Sequence, residues 1–315
     1  MTQDFRTNLT TTMDRLKQSL QVLVDALPVG APIVYLDQPV HLNVGDLLIN
    51  IGLEKLLADN GRQIVHRFSI KDYERFIHVV KDEHVLLLHG GGNLGDVWPR
   101  HESLRQNVIK RFTRNKILVF PQSAYFSEAS KIEACAATYR AHPDCTIFLR
   151  DHKSYELVRQ KFRVPCAMSP DTAHQLWQAG GVFTPNYGGN GELRLMRRDH
   201  ESSTGDGATG DAADWNTIIT PFQKIKYQLC NALLQANGSL TLQPPLMRMW
   251  YAHRDQVTAH CANYFKGYAR VKTDRLHGII MSLLLGKEVT MKDNSYGKLS
   301  TYCEAWMPDL VKRVD

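Results

Sequence analysis

Residues 268–285 read YARVKTDRLHGIIMSLLL. A strand-like run, Tyr268 to Thr273, leads into the turn Asp274-Arg275-Leu276-His277-Gly278 and then into a helix-like run, Ile279 to Leu285. This order predicts a strand, a turn and a helix, which is the repeating unit of α/β folds. The turn also places an arginine and a histidine at the start of a helix, where free backbone N–H groups favour anions.

The same alternation runs through the earlier part of the chain. An amphipathic helix comes first, with leucine or methionine at positions 9, 13, 16, 20, 23 and 27. Helix-like segments such as Leu47 to Leu57 and Leu104 to Phe112 then separate short apolar runs suited to buried parallel strands. These runs are Ile33 to Leu36, Ile64 to Phe68, Val85 to Leu88, Ile117 to Phe120, Thr146 to Leu149 and Cys166 to Met168. We therefore predict a doubly wound parallel sheet.

Glycine-rich stretches at residues 179–181 and 186–191 interrupt this pattern. Beyond them we predict a second, smaller α/β domain. Its predicted strands are Leu193 to Arg197, Leu246 to Ala252, Ala269 to Thr273 and Glu288 to Met291, and its predicted helices are Phe222 to Leu234 and Tyr296 to Trp306. The predicted division is an N-terminal Rossmann-like domain over residues 1–189 and a C-terminal one over residues 190–315.

Composition excludes several classes of protein. The hydrophobic content of 43% and charged content of 22% are those of a globular protein. The net charge of +6 is spread out without a Lys/Arg tract, so we expect no nucleic-acid partner. The six cysteines form no Cys-x-x-Cys pair, which disfavours structural zinc and suits reduced thiols. Since no signal-peptide core or apolar run of about 20 residues is present, we expect a cytoplasmic protein.

Polar residues and glycines follow the predicted strands. In a parallel sheet, ligands bind beyond the carboxyl ends of the strands, so we predict a cleft or acceptor site there. Its candidate residues are His41, Asn43, Gly45, Asp46, Gly90, Gly91, Gly92, Asn93, Ser123, Arg150 and Ser154, with Asp171 after the last strand. Any one of these could instead serve as a cap or turn, and Asp46 in particular could be a helix N-cap.

Gly90, Gly92 and Gly95 have the G-x-G-x-x-G spacing of a dinucleotide-binding loop. That loop should open a helix directly in the first βαβ unit, whereas Pro99 lies four residues beyond Gly95. We therefore disfavour a dinucleotide oxidoreductase. Consecutive glycines can still form a backbone nest for an anion or allow close approach of a sugar.

Several motifs together resemble those of the polysaccharide pyruvyl transferases, in that family's order over nearly the whole chain. They are His41-x-Asn43-x-Gly45-Asp46, Gly90 to Gly92, Arg150-Asp151 with Ser154, Ser169-Pro170-Asp171, Arg197-x-Asp199-x-Glu201, Asp274-Arg275-Leu276-His277-Gly278 and Asp293-Asn294. The resemblance implies a GT-B-like fold in which two Rossmann-like domains face each other across a cleft. It also implies transfer of a pyruvyl group from phosphoenolpyruvate to a sugar of an exopolysaccharide or cell-surface glycan precursor, forming a pyruvate ketal. The long polar loop Ser202 to Ala213 departs from the family and leaves the acceptor open.

The resemblance also implies roles for individual residues. The donor carries a carboxylate and a phosphate, so it needs cations, and the donor-binding candidates are Arg275, Arg197, Gly278, Asn294 and Lys298. His277 is the candidate acid that protonates the donor double bond, because an imidazole can release a proton near neutral pH. Asp171 or Asp46 would accept the proton of the sugar hydroxyl. We expect no cofactor and no metal.

Two other functions remain open at this stage. A GT-B glycosyltransferase that uses a nucleotide sugar would share the fold and a basic donor site. A non-catalytic protein could bind anionic glycans with the same residues. A lipid-linked acceptor would bring an enzyme to the inner face of the membrane as a peripheral protein, where the basic excess would help. The sequence carries no signal for the oligomeric state.

Overall fold

The computed structural model describes residues 2–197, 212–293 and 298–314, and Lys298 by its backbone only. Its strands are β1 (Ile33–Leu36), β2 (Ile64–Phe68), β3 (Val85–Leu88), β4 (Gly91–Gly95), β5 (Ile117–Tyr125), β6 (Cys145–Leu149), β7 (Cys166–Met168), β8 (Glu192–Leu195), β9 (Arg270–Thr273), β10 (Glu288–Lys292) and β11 (Val311–Val314).

The helices alternate with these strands along most of the chain. They are α1 (Gln3–Ser19), α2 (Gln21–Asp25), α3 (Val44–Asp59), α4 (Tyr73–Phe76), α5 (Pro99–Arg111), α6 (Ala129–Arg140), α7 (His152–Leu157), α8 (Trp215–Ile218), α9 (Pro221–Ala236), α10 (Gln243–Lys266), α11 (Leu276–Leu284) and α12 (Lys298–Trp306).

Contacts divide the chain into two compact units, and neither is one continuous segment. Unit 1 comprises Met1–Gln18, His41–Ile51 and Ala173–Asp315, and unit 2 comprises Ser19–Val40 and Gly52–Thr172. The predicted boundary between residues 189 and 190 is a different division of the chain and stays a prediction, as does the GT-B-like arrangement.

Unit 2 is built on a parallel sheet with the strand order β2-β1-β3-β5-β6-β7, and β4 pairs with β5. The predicted parallel sheet is confirmed, and β1, β2, β3 and β7 have the predicted bounds. β5 is longer than predicted and continues to Tyr125. Pro121 lies where the pairing of β5 with β6 shifts register, between Val119 and Gln122. A proline without an N–H is tolerated at such an irregularity.

Strands β1 and β3 at the centre of unit 2 consist of apolar residues, as expected for parallel strands that helices cover. One face of the sheet packs with α2 and the second half of α3 into a core that includes Leu23, Leu53, Leu87 and Phe120, all fully buried. Every residue of β1 and β3 is buried. This core fixes the positions of the strand ends, from which the polar side chains of unit 2 project.

Sequence analysis treats the glycines at positions 90–92 as a loop, whereas residues Gly91–Gly95 form strand β4 although glycine has low strand propensity. A buried ion pair holds it in place. The carboxylate of Glu102 on α5 lies 3.0 Å from Nη2 of fully buried Arg105. Arg105 donates to the side-chain oxygen of Asn93 in β4 at 2.8 Å, and Glu102 accepts the N–H of Gly95 at 3.3 Å. The side chains of Arg105 and Glu102 thus hold the backbone of a strand that contains three glycines.

Glu102 also accepts hydrogen bonds from Cys135 and Tyr139 of α6. Burial raises the pKa of the Glu102 carboxyl, but neighbouring Arg105 and the hydrogen bonds from Cys135 and Gln106 outweigh burial, and its net pKa lies below the usual value. The ionised carboxylate therefore joins α5 and α6 to β4.

Unit 1 contains a smaller parallel sheet with the strand order β11-β10-β9-β8. The predicted strands near β8, β9 and β10 are confirmed, whereas β11 was not predicted. α1 belongs to this unit as far as Gln18, and its buried stripe includes Leu9, Met13 and Leu16. The indole N–H of Trp177 donates to the carboxylate of Asp14 on α1 at 2.9 Å.

The strand predicted from Leu246 to Ala252 is wrong, because these residues lie in α10. Buried apolar residues recur there at positions 247, 250, 257, 261 and 265, which is helical spacing. Two prolines near the start of α10 suit the first turn, whose N–H groups have no partner within the helix.

The end of α11 is closed by a Schellman motif at Gly286, whose φ of 74° is left-handed. The N–H of Lys287 donates to the carbonyl of Ser282 at 2.8 Å, and that of Gly286 to Leu283 at 3.0 Å. The chain then buries the Lys287 side chain completely. Its ammonium nitrogen Nζ lies 2.7 Å from the carbonyl of Gly188 and 3.2 Å from that of Lys266. Lys287 thereby ties the loop before β8 to the end of α10.

We predict that Glu102→Ala lowers the free energy of unfolding by about 3–5 kcal/mol, because it leaves Arg105 buried without its carboxylate. Urea denaturation measures this change. Glu156→Ala, which removes a carboxylate from the exposed pair with Arg159, is the matched control and should change little. Equal effects of the two substitutions would contradict a structural role for the buried pair.

We also predict a pH dependence from Lys287. Burial, and to a lesser extent neighbouring Lys266, lowers the pKa of Lys287 from 10.5 to about 8. Between these values the unfolded chain binds more protons than the folded protein, so this group contributes stability that rises with pH. From about pH 8 to pH 10, the unfolding free energy of the wild type should therefore rise relative to that of Lys287→Met, by on the order of 1–3 kcal/mol.

The control for this measurement is Lys312→Met, which removes an exposed lysine of β11. Its unfolding free energy should follow the wild-type pH curve. If the Lys287→Met curve also ran parallel to the wild-type curve, the lowered pKa would be wrong.

Candidate functional site

In unit 1, the turn Asp274–Gly278 forms the start of α11, as its sequence predicts. Arg275 is the N-cap residue, and its backbone N–H donates to the hydroxyl of Thr273 at 3.0 Å. His277 lies in the first turn of the helix, and Gly278 is buried there against Thr273 and Leu195. The predicted donor-binding residues Arg275 and Gly278 and the predicted acid His277 are therefore neighbours at one helix N-terminus.

The ring of His277 lies directly against the backbone of Gly45 in α3. A β-carbon added at Gly45 would lie 2.5 Å from Nδ1 of His277 and 2.9 Å from Cγ, which is closer than real contacts allow. Position 45 therefore has to be glycine for the ring to occupy this place. The contact brings together two motifs more than 200 residues apart in the sequence, and both belong to unit 1.

The loop before α3 is ordered by its own side chains. The side-chain oxygen of Asn43 accepts the N–H of Gly45 at 3.1 Å, and Nδ2 of Asn43 donates to Asp46 at 2.8 Å. Asn43 is therefore the N-cap of α3, and the expectation that Asp46 has this role is wrong. Nε2 of His41 lies 3.6 Å from the Asp46 carboxylate. The four predicted residues of this loop are thus brought together.

The polar residues predicted to form one cleft beyond the strand ends belong to both units. The loop His41–Asp46 follows β1 of unit 2 in the chain but belongs to unit 1, where it meets His277. His277 consequently lies at the N-termini of two helices, α3 and α11. The dipoles of the two helices favour a bound anion at such a place.

Asp274 lies near both arginines that are predicted to bind the donor. Its carboxylate accepts the backbone N–H of Arg197, just after β8, at 2.8 Å. Burial raises the pKa of Asp274, while the Arg197 hydrogen bond and the charges of Arg275 and Arg197 oppose the rise. The two predicted donor-binding arginines therefore lie close to one carboxylate, at the ends of neighbouring strands β8 and β9.

Asp214 is a residue of this region that sequence reasoning missed. Its buried carboxylate lies 2.7 Å from Nη2 of Arg275. Asp214 also caps α8, since its side chain accepts the N–H of Trp215 at 2.7 Å. The cap was readable from an aspartate before a helix, but nothing in the sequence connects it to Arg275. A guanidinium has five N–H donors, so an arginine can hold a carboxylate and a second anion together.

Two predicted donor-binding positions cannot be placed in this way. Asn294 lies outside the described residues, as does the side chain of Lys298, which begins α12. Residues Asp199 and Glu201 of the Arg197 motif also lie outside them.

Unit 2 gathers a second set of predicted residues around Arg150, which follows β6. Its guanidinium pairs with the carboxylate of Asp171 at 2.7 Å, and its Nε donates to the hydroxyl of Ser123 at 2.9 Å. Ser123 and Ser154 both donate to the carboxylate of Asp151, at 2.7 and 2.9 Å. All five residues are buried. The carboxyl ends of β5, β6 and β7 are thus joined by one polar network.

β4 approaches this network closely. A β-carbon on Gly92 would lie 2.9 Å from Nη2 of Arg150, so glycine allows the strand to pass beside the guanidinium. Gly91 pairs with Gln122 of β5, and Gly90 connects β3 to β4. Asn93 is held by Arg105, as described above, which gives it a structural contact in addition to any contact with a ligand.

A histidine–carboxylate pair in unit 2 was also missed by sequence reasoning. Asp37, directly after β1, has a left-handed φ of 59° and is buried. Its carboxylate lies 2.8 Å from Nδ1 of His101 on α5. Backbone strain of this kind is often found at functional sites. The sequence contained no signal, because an aspartate at a strand end is ordinarily a turn residue.

No group of three or more His, Cys, Asp or Glu side chains within residues 2–197, 212–293 and 298–314 is arranged to hold a metal ion. Over the same parts of the chain, no helix is long and apolar enough to cross a membrane. The absence of metal and cofactor from the reaction stays an expectation.

Comparison with known proteins gives consistent matches. EpsO of Bacillus subtilis, whose name proposes a pyruvyl transferase, is 30% identical over 94% of this chain and 91% of its own length. Pyruvyl transferase 1 of Schizosaccharomyces pombe is 26% identical over 85% of this chain and 68% of its own length. A functionally uncharacterized protein of Klebsiella pneumoniae has a similar fold, with a TM-score of 0.64 at 19% identity over 95% of this chain and 98% of its own.

The family model for polysaccharide pyruvyl transferases matches residues 43–296. This span begins at Asn43 and includes the Arg150 network, the Asp274–Gly278 turn and His277. The chain therefore belongs to the polysaccharide pyruvyl transferase family.

Proposed function

We propose that this protein transfers the pyruvyl group of phosphoenolpyruvate to a sugar of an exopolysaccharide or cell-surface glycan precursor, forming a pyruvate ketal. The observation that carries the proposal is the position of His277. It lies at the N-termini of α3 and α11, against Gly45, and two residues from the N-cap arginine of α11. A proton donor, a cation and two helix N-termini match a donor that is an enol phosphate and also carries a carboxylate.

In the proposed reaction, His277 gives a proton to the terminal carbon of phosphoenolpyruvate. The double-bond electrons form the new C–H bond, and the central carbon becomes oxocarbenium-like. A sugar hydroxyl adds to that carbon and loses its proton, and the C–O bond to phosphate then breaks. A second hydroxyl of the same sugar then adds to the same carbon and closes the ketal; its proton returns to His277, while the proton of the first hydroxyl passes from the base to the departing phosphate. Arg275 and Arg197 would stabilise the carboxylate and phosphate charges through this sequence.

Two carboxylates are candidates for the base, and both have structural partners. Asp171 is paired with Arg150, and Asp46 accepts a hydrogen bond from Asn43. An ion pair with arginine keeps a carboxylate ionised, as a base must be, although it also weakens the carboxylate as a proton acceptor. We retain Asp171 as the base, as the sequence motif predicts, with Arg150 as its positioning residue.

The arrangement of donor and acceptor sites belongs to the same proposal. A GT-B-like fold would assign the donor to the C-terminal domain and the acceptor to the N-terminal one. His41, Gly90 to Gly92, Ser123 and Ser154 are then acceptor or cleft residues. The acceptor would be a saccharide, and a lipid-linked one would bring this enzyme to the inner face of the membrane.

We predict that millimolar phosphoenolpyruvate raises the thermal unfolding midpoint, whereas UDP-sugars and NAD do not, since only a ligand of the native state does so. Arg275→Ala should abolish this shift because it removes the cation at the N-terminus of α11. Asp214→Asn is the matched control: it removes the ion-pair partner but retains the cap and the cation. A shift with a UDP-sugar and none with phosphoenolpyruvate would replace pyruvyl transfer with nucleotide-sugar glycosyl transfer.

We predict that Gly45→Ala reduces kcat about 10²-fold, because the new methyl group displaces the His277 ring. His277→Ala should reduce kcat by about 10²–10⁴-fold. Both variants should keep the thermal shift with phosphoenolpyruvate, since neither loses a cation. Phosphate release during turnover with a saccharide acceptor gives the rate.

The control for Gly45→Ala is Gly238→Ala, where a β-carbon meets no atom within 4 Å. This variant should keep full kcat. If His277→Ala also turned over at the wild-type rate, His277 would not be the acid. If the wild type showed no turnover, and both it and His277→Ala bound glycans equally well, the non-catalytic glycan-binding function would be favoured instead.

A further inference from the structure

Helix α9 exposes an apolar stripe that no described residue of its own unit covers. Phe222, Ile225, Leu229 and Leu233 are 74%, 62%, 59% and 41% exposed. Their spacing of three, four and four residues places them on one face of the helix. The helix is anchored by other positions, because Cys230 and Leu234 are buried and Tyr227 packs edge-on against Trp250 of α10. The stripe is therefore a surface feature of a well-packed helix.

The charged residues of the helix itself have one sign. Helix α9 contains two lysines, Lys224 and Lys226, and no Asp or Glu, and the nearest acidic residues in the sequence are Asp214 before it and Asp255 on α10, which pairs with Arg254. On α9 itself, Lys226 donates to the side chain of Gln256 at 2.8 Å, and Lys224 donates to the carbonyl of Asn216 at 2.6 Å. Both partners are neutral, so these contacts leave the positive charges uncompensated. An apolar stripe within a basic segment is the pattern of a helix that lies in the interface of an anionic bilayer.

A second copy of the chain is a poorer occupant of this surface. From Phe222 to Leu233 the stripe is about 17 Å long and about 10 Å wide, which is about 170 Å². A stable protein–protein interface takes about 800 Å² from each partner. Two basic helices would also repel each other, whereas anionic lipid headgroups would attract both.

We propose that α9 is the membrane-docking element of this protein. In this arrangement, the four apolar side chains enter the headgroup region of an anionic lipid bilayer, and Lys224 and Lys226 contact the headgroups. The inference rests on the part of the proposed function that brings the protein to a lipid-linked acceptor. Vesicle binding needs neither donor nor acceptor, so it can fail while pyruvyl transfer succeeds, and the reverse.

The test is co-sedimentation of the purified protein with vesicles of phosphatidylcholine alone and of phosphatidylcholine mixed equally with phosphatidylglycerol. We expect the wild type to bind the anionic vesicles and to leave them at high salt, because salt screens the lysines. Ile225→Gln with Leu229→Gln should lower the partition coefficient at least ten-fold, since both side chains lose their apolar surface. Lys224→Gln with Lys226→Gln should lower it roughly five-fold for each charge.

The matched control is Val29→Gln, which changes a 90% exposed apolar residue before β1 of unit 2 and should bind as the wild type does. Circular dichroism and the thermal midpoint confirm that each variant is folded. Equal binding by the Ile225/Leu229 variant, or no binding by the wild type to anionic vesicles, would overturn the proposal. A wild-type dimer that the same variant converts to monomers, without vesicle binding, would assign the stripe to a second copy instead.

Discussion

The contact between the His277 ring and the backbone of Gly45 is the constraint on which the arrangement of unit 1 depends. It places the start of α3 beside the start of α11, although the two segments are more than 200 residues apart in sequence. Any side chain at position 45 would meet the imidazole. Glycine therefore has a steric role here and not a conformational one, because its φ is not in the left-handed region. Asn43 caps α3 and thereby orders the loop that precedes Gly45.

Around this contact, unit 1 places carboxylates beside its arginines. Asp274 is a buried acceptor for the Arg197 backbone, and Asp214 pairs with Arg275. Asp214 holds the Arg275 guanidinium at a defined position, and Asp274 fixes the backbone of Arg197. In the proposed function, a cation that is already positioned needs little reorganisation when charge develops in a transition state.

Unit 2 uses buried ion pairs for a different purpose. Arg105 with Glu102 secures β4, and Arg150 with Asp171 connects the ends of β6 and β7. Both arginines contact residues of the glycine-rich strand, Arg105 through Asn93 and Arg150 beside Gly92. Glycine weakens a strand by itself, and charged side chains with several donors compensate by holding the backbone. Several residues predicted as ligand contacts thus also maintain the shape of the site.

The sequence by itself determined the parallel sheet, most strand bounds and the turn at Arg275 and His277, because these follow from apolar runs and turn residues that act locally. It misassigned Leu246 to Ala252 as a strand, since a short apolar run does not distinguish a strand from a buried helix. Only the tertiary structure decided that Gly45 meets His277, that Asp214 pairs with Arg275, that the glycine stretch becomes β4, and that the loop His41–Asp46 belongs to unit 1. Each of these depends on contacts between residues far apart in the chain, and such contacts are set by packing and burial, which no local pattern of residues encodes.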